Sequence, residues 1–188
     1  MRISKRDVRR IARGLGGYSA RIPSQLAIAV NATGKKVVTR LSRDVRGELA
    51  MKARDVKKLI AQKKAHKTNL ASQVTLKHGS RPSLKRFSPR QTRKGVSYRV
   101  SKRGSRKLAL GAFMGAKPGQ LSVKLRGHVY KRVTKKRKPI TRLDGASAWA
   151  AVHKNRLKPP IIVFARKTLK KQIRRRARYL TLKRKGKI

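Results

Sequence analysis

Residues 95–113, GVSYRVSKRGSRKLALGAF, decide the fold class. Val96, Tyr98 and Val100 occupy alternate positions, and residues 107–113 hold a further short alternation of apolar and polar side chains. A period of two is the mark of a strand with one buried face. The same texture occurs upstream over 73–77, with Val74 and Leu76, and downstream over 121–133. A basic turn, KRVTKKRKP at 131–139, then leads into an expected last strand at 140–143. The middle of the chain therefore reads as β-structure.

Away from this middle the apolar spacing becomes helical on both sides. Val8, Ile11, Ala12 and Leu15 predict a short helix over 4–15, closed by Gly14, Gly16 and Gly17. Leu26, Ala27, Val30, Val37, Val38 and Leu41 predict a long helix over 22–44, with Pro23 tolerated in its first turn and Gly34 weakening it by about 1 kcal/mol relative to Ala. Val56, Leu59 and Ile60, spaced three and one apart, predict a third helix over 52–61, where Asp55 in the first turn suits the helix dipole. Towards the other end, residues 147–153 hold the only tryptophan in a short helical segment. Pro159-Pro160 stops it and begins a helix of about five turns, in which Phe164, Ala165, Leu169, Ile173, Ala177 and Leu180 form the apolar face, expected to dock on the chain's own sheet.

These elements predict one α+β domain over 1–188: N-terminal helices, a central, mostly antiparallel β-sheet with long basic loops, and a long C-terminal amphipathic helix. Residues 79–94, rich in Ser, Pro, Arg and Lys, read as an exposed basic loop or arm.

Charge narrows the function. Fifty-six Lys and Arg face five acids across 188 residues, a net charge of +51, where a lone soluble domain typically carries a magnitude of about 2–8. Residues 1–55 hold 14 of the bases and four of the acids. Residues 56–143 hold 27 bases and no acid, and residues 145–188 hold 15 bases and none. Such a surface calls for an anionic partner. It leaves little for carboxylate chemistry, because only Asp44, Glu48 and Asp55 lie near one another in sequence. A nuclease would need clustered acids to hold Mg²⁺. Cysteine is absent, which removes disulfides, thiolate zinc sites and thiol nucleophiles. The four histidines are isolated in sequence and read as surface or packing residues. Gly14-Leu15-Gly16-Gly17 follows a helix rather than a strand, so it reads as a turn and not as a phosphate loop. No catalytic residue, metal site or cofactor is implied. No apolar run reaches the roughly 18–20 residues of a membrane span, and a cytoplasmic product is expected.

Three basic clusters are the candidate contacts with nucleic acid or acidic protein. The first is Arg81, Lys85, Arg86, Arg90, Arg93 and Lys94; the second is Lys135, Lys136, Arg137 and Lys138; the third is Lys171, Arg174, Arg175 and Arg178 on the last helix, where Arg176 extends the basic run. Arg forks onto phosphate oxygens and Lys acts as a point charge. Without zinc-finger, zipper or aromatic RNA-recognition signatures, the expected binding is salt-sensitive and blind to sequence.

In this order the segments AIAVNATGKKVVTRLSRDV (27–45), AMKARDVKKLI (50–60), LALGAFMG (108–115), GHVYKRV (127–133) and KPITRLDGASA (138–148), followed by the Arg-rich helix, resemble the minor tail protein Z family of tailed bacteriophages, the tail completion proteins. The resemblance spans nearly the whole chain. It implies a non-enzymatic virion component at the head-proximal end of the tail, made in the host cytoplasm. By the same resemblance it assembles as a homo-oligomeric ring, six copies being the natural number, with other neck and tail proteins as partners and genomic DNA as a further candidate. The alternative class that fits the charge is a ribosomal or other RNA-binding structural protein.

Overall fold

A computed structural model describes Arg13 and residues 21–77, 81–115, 125–154 and 157–185. The helix expected over 4–15 and its glycine turn lie outside these residues, apart from Arg13, which is helical. The fold is α+β. Helix α1 (Arg21–Glu48) buries Ile22, Leu26, Val30, Thr33, Val37, Leu41 and Val45, a spacing of three or four residues that keeps one face inward. Thr33 is tolerated inside because its Oγ1 donates to Ala29 O at 2.8 Å. The helix ends where the backbone turns to pair elsewhere: Ala50 N donates to Val100 O and Lys102 N to Glu48 O, both at 2.9 Å.

The third expected helix is much shorter than its spacing suggests. Only Ala53–Lys57 (α2) is helical, and Ile60–Lys63 is strand β1, paired with β2 (Gln73–Leu76). Val56 and Leu59 stay buried, while the chain at Ile60 is drawn into strand pairing that outweighs its helical spacing. β1 lies close against α1. Asn31 Nδ2 donates to Ala65 O at 2.8 Å and its Oδ1 accepts from Ala65 N at 2.7 Å. Gln62 Nε2 donates to Asn31 O at 3.3 Å.

The stretch 79–94 is not an exposed arm over its described part, 81–94. It forms a 3₁₀ turn (Leu84–Arg86) and strand β3 (Arg90–Thr92). Leu84 and Phe87, three residues apart, are buried, with Phe87 0% exposed. Burying these two side chains contributes about 1.5–3 kcal/mol each, which anchors a segment that composition alone marks as loop. Leu84 N donates to Leu143 O at 3.1 Å, and Gly145 N to Pro82 O at 2.8 Å.

Residues 95–113 form β4 (Gly95–Tyr98), β5 (Lys107–Leu110) and β6 (Ala112–Phe113). β3, β4 and β5 make one antiparallel sheet in that order; β6, β7 (Tyr130–Arg132) and β8 (Ile140–Arg142) make another. Among the described residues the strands are thus shared among three small sheets. Gly95 has φ +153°, and a Cβ there would lie 2.1 Å from Ala109 O, so only glycine lets β4 approach β5 at this end. Helices α3 (Ala148–Lys154) and α4 (Lys158–Arg184) follow.

By their contacts the residues divide into two compact units: Met1–Leu41, Ile60–Thr75 and Leu157–Ile188 form one, Ser42–Leu59 and Leu76–Arg156 the other. The core of the first is Ile22, Leu26, Ala27, Val30, Ala65 and Leu70, with Leu169, Ile173 and Leu180 of α4 packed on it. The second is centred on buried residues that include Val56, Leu84, Phe87, Val96 and Val129.

Candidate nucleic-acid interface

In the first unit, α4 separates its residues by face. Its apolar side is held on α1 and on Ala65 and Leu70, not on a sheet face as expected. At 3.6 residues per turn, the opposite side then carries Lys167, Lys171, Arg174, Arg175 and Arg178, with Lys170 at its margin and Arg166 at the edge of the docked side, all exposed. At a rise of 1.5 Å per residue these seven cations span about 18 Å of helix axis, roughly one per 2.6 Å, against one phosphate per 1.7 Å along duplex DNA. The expected contacts Lys171, Arg174, Arg175 and Arg178 belong to this stripe. Arg176 does not. It falls on the side of Ile173 and Leu180, where its Nε is buried without a hydrogen-bond partner and faces a small cavity shared with Gln25. Arg40 stacks over Phe164 at 5.7 Å and covers that ring.

The first cluster lies in the second unit and divides into structural and free cations. Arg86 is half-buried, with its Nε 3.8 Å from Asp55 Oδ1. Lys85 Nζ donates to the backbone carbonyl of Arg126. Arg81 and Arg90 are exposed. Arg93 and Lys94 form the two-residue turn between β3 and β4, since Thr92 pairs with Gly95. Their side chains are exposed and have no partner among the described residues. By contrast Arg106 is tied down, its guanidinium donating to Ser97 Oγ at 2.8 Å and Ser88 O at 2.7 Å.

The second cluster is the tip of the β7–β8 hairpin. Every residue over 131–142 is exposed, including Lys135, Lys136, Arg137 and Lys138 and the apolar Val133 and Ile140. The register sets Tyr130 against Arg142 and Arg132 against Ile140, so the four cations cap a short ladder. At its base Arg142 Nε donates to Asp144 Oδ1 at 3.1 Å.

The fold brings Arg132 of β7 to the Arg93-Lys94 turn around one cavity of about 410 Å³. Arg132 lies over the Phe113 ring at 5.8 Å. This grouping has no sequence signal, because it depends on where β6 and β7 pair relative to β3 and β4.

His128 is a packing residue, half-buried in the second unit. Its Nδ1 shares a hydrogen bond with Ser83 Oγ at 2.9 Å, and its ring meets Tyr130 edge-on at 6.5 Å. Burial, with the nearby Lys85 and Arg142 cations, holds its pKa below the usual histidine value, while Asp144 opposes the shift. His153 stacks on Trp149 at 4.0 Å. Among the described residues no three His, Asp or Glu side chains gather as a metal ion would need, and no helix is long and apolar enough to cross a membrane. No protein-family profile, curated protein or solved structure matches the chain.

Proposed function

We propose that this chain is a non-enzymatic structural protein of a phage virion, completing the head-proximal end of the tail and joining it to the head, with basic surfaces turned to DNA or to acidic neck and tail proteins. The observation that carries this reading is the α4 stripe: seven exposed cations along one helix whose apolar face is docked, in a chain whose five acids cannot neutralise them. The family resemblance supplies the place, a ring of copies around the path of the genome. Like-charged subunits assemble only where counter-charge is provided, and DNA or acidic neighbours provide it. The test is particle composition and assembly. The protein is expected in purified virions, and its deletion should leave separate heads and tails; joined, infectious particles without it would overturn the proposal.

The alternative, a ribosomal or other RNA-binding structural protein, draws on one feature in particular. The hairpin over 131–142 is exposed throughout and presents its apolar Val133 and Ile140 with its cations, as an arm embedded in a larger assembly would. Co-sedimentation with ribosomal subunits at high salt would favour that reading over the virion.

A further inference from the structure

We propose that the cavity between the β3–β4 turn and β7 is a nucleotide pocket, which takes one phosphate of an unpaired nucleic-acid strand and stacks its base on Arg132. The volume, about 410 Å³, lies within the range of small-ligand sites. Among the described residues three cations border it, Arg93, Lys94 and Arg132, and no acidic residue lines it. Arg93 and Lys94 have no competing partner among the described residues, so their donors are available to a phosphate. Arg132 holds its guanidinium carbon over Phe113 at 5.8 Å and is exposed, so its outward side is open to a base.

Hydrogen bonds within the chain hold the β3–β4 side of the cavity. Gln91 spends its side chain on the backbone: Oε1 accepts from Met114 N at 2.8 Å and Gly115 N at 2.9 Å, and Nε2 donates to Gly115 O at 3.1 Å. Thr92 Oγ1 donates to Gly95 O at 2.9 Å, and Gly111 N to Lys94 O at 3.1 Å, fixing the turn that carries the cations. A solvated surface of like charges would lack both this rim and the aromatic ring beneath Arg132. A duplex would not fit the site, since its bases are already stacked and paired; a splayed single strand would.

The inference rests on the reading of the basic surface as facing nucleic acid, and the experiment separates the two. Binding of the full chain to oligo(dT) of eight nucleotides, to a 20-base-pair duplex, to thymidine 5′-phosphate and to thymidine is measured by anisotropy and calorimetry. Thymidine 5′-phosphate should bind and thymidine should not. R132Q and F113L should each weaken oligo(dT) binding about tenfold and leave duplex binding within about twofold. R93Q/K94Q should lower the salt slope for oligo(dT) by about 0.7, the value of one single-strand phosphate contact. Arg132 is exposed, so R132Q keeps the test open should F113L fold poorly. Wild-type oligo(dT) affinity and slope in R132Q and R93Q/K94Q would overturn the pocket while leaving the polyanion reading in place. Absence of any nucleic-acid binding by the wild-type chain would overturn both.

Discussion

Neutralising one row of the α4 stripe tests whether that row, rather than net charge, grips a polyanion. The variant R166Q/K170Q/R174Q/R178Q removes four exposed cations spaced four residues apart. Gln has nearly the helix propensity of Lys and Arg, and none of the four packs in the core, so the helix should stay folded. Each lost phosphate contact lowers the slope of log K against log salt by about 0.9 on duplex DNA, about 3.6 for the row. If the two lines meet near 1 M salt, the affinity difference at 0.1 M is about 10³–10⁴-fold. Fluorescence anisotropy with a 20-base-pair duplex between 0.1 and 0.5 M KCl reads this directly, with circular dichroism confirming the fold. A slope within about 0.5 of the wild type would refute the reasoning. So would an equal loss on changing Lys57, Lys58, Lys63 and Lys64 to Gln, because those exposed lysines belong to no such row.

Three further outcomes follow from the packing. Gly95→Ala should cost about 2–4 kcal/mol in denaturant unfolding, from a strained φ and a Cβ driven into Ala109 O; a loss under about 0.5 kcal/mol would mean the β4–β5 approach is looser than described. Asn31→Ala strips both hydrogen bonds from the backbone of buried Ala65 and should cost about 2–4 kcal/mol, whereas Ser24→Ala, at an exposed hydroxyl, should cost well under 1 kcal/mol in the same assay. The lowered pKa of His128 means that the folded state resists a proton which the unfolded state accepts near pH 6.5. Its contribution is therefore present above pH 6.5 and is lost as pH falls towards the folded value, so wild type should lose more stability than H128Q between pH 7.5 and 5.5.

How far the sequence could be read depended on whether neighbours in sequence were also neighbours in space. Helix α4 was legible because its apolar and basic residues separate at one period. Its length was underestimated: Pro159 and Pro160 fit the first turn, so the helix begins at Lys158 and runs on to Arg184. Arg174, Arg175 and Arg176 form one block in sequence, which hides the inward turn of Arg176, although 100° per residue sets it on the side of Ile173 and Leu180. Residues 81–94 were misread because composition counts polar residues, whereas Leu84 and Phe87 alone decide where the segment lies. Arg86 and Arg142 look like free cations in sequence; Asp55 and Asp144, distant or two residues away, engage them. The cavity was invisible for the same reason, as Lys94, Phe113 and Arg132 meet only through strand register.

Gly34 illustrates the same point in energetic terms. In isolation it weakens α1 by about 1 kcal/mol relative to Ala. A Cβ there would sit 2.2 Å from Gln62 Nε2 and 3.0 Å from Ser72 Oγ, so alanine would displace the Gln62 amide that donates to Asn31 O.

A row of like charges also acts against its own helix, and magnitudes decide whether α4 folds before it binds. Five pairs in the stripe stand four residues apart: Arg166 and Lys170, Lys170 and Arg174, Arg174 and Arg178, Lys167 and Lys171, Lys171 and Arg175. At about 0.2–0.5 kcal/mol each, their repulsion totals about 1–2.5 kcal/mol at low salt. Against this, Leu169, Ile173 and Leu180 are partly buried on the first unit's core. Even at half the value of full burial, about 1 kcal/mol each, the three offset the repulsion. The apolar face therefore holds the helix without a partner, and the stripe is set before a polyanion arrives. A preformed row loses no folding free energy on binding, so counterion release appears in the affinity nearly undiminished. Had the balance gone the other way, the same cations would have formed a disordered basic tail, able to attract nucleic acid but unable to hold a fixed position in an assembly.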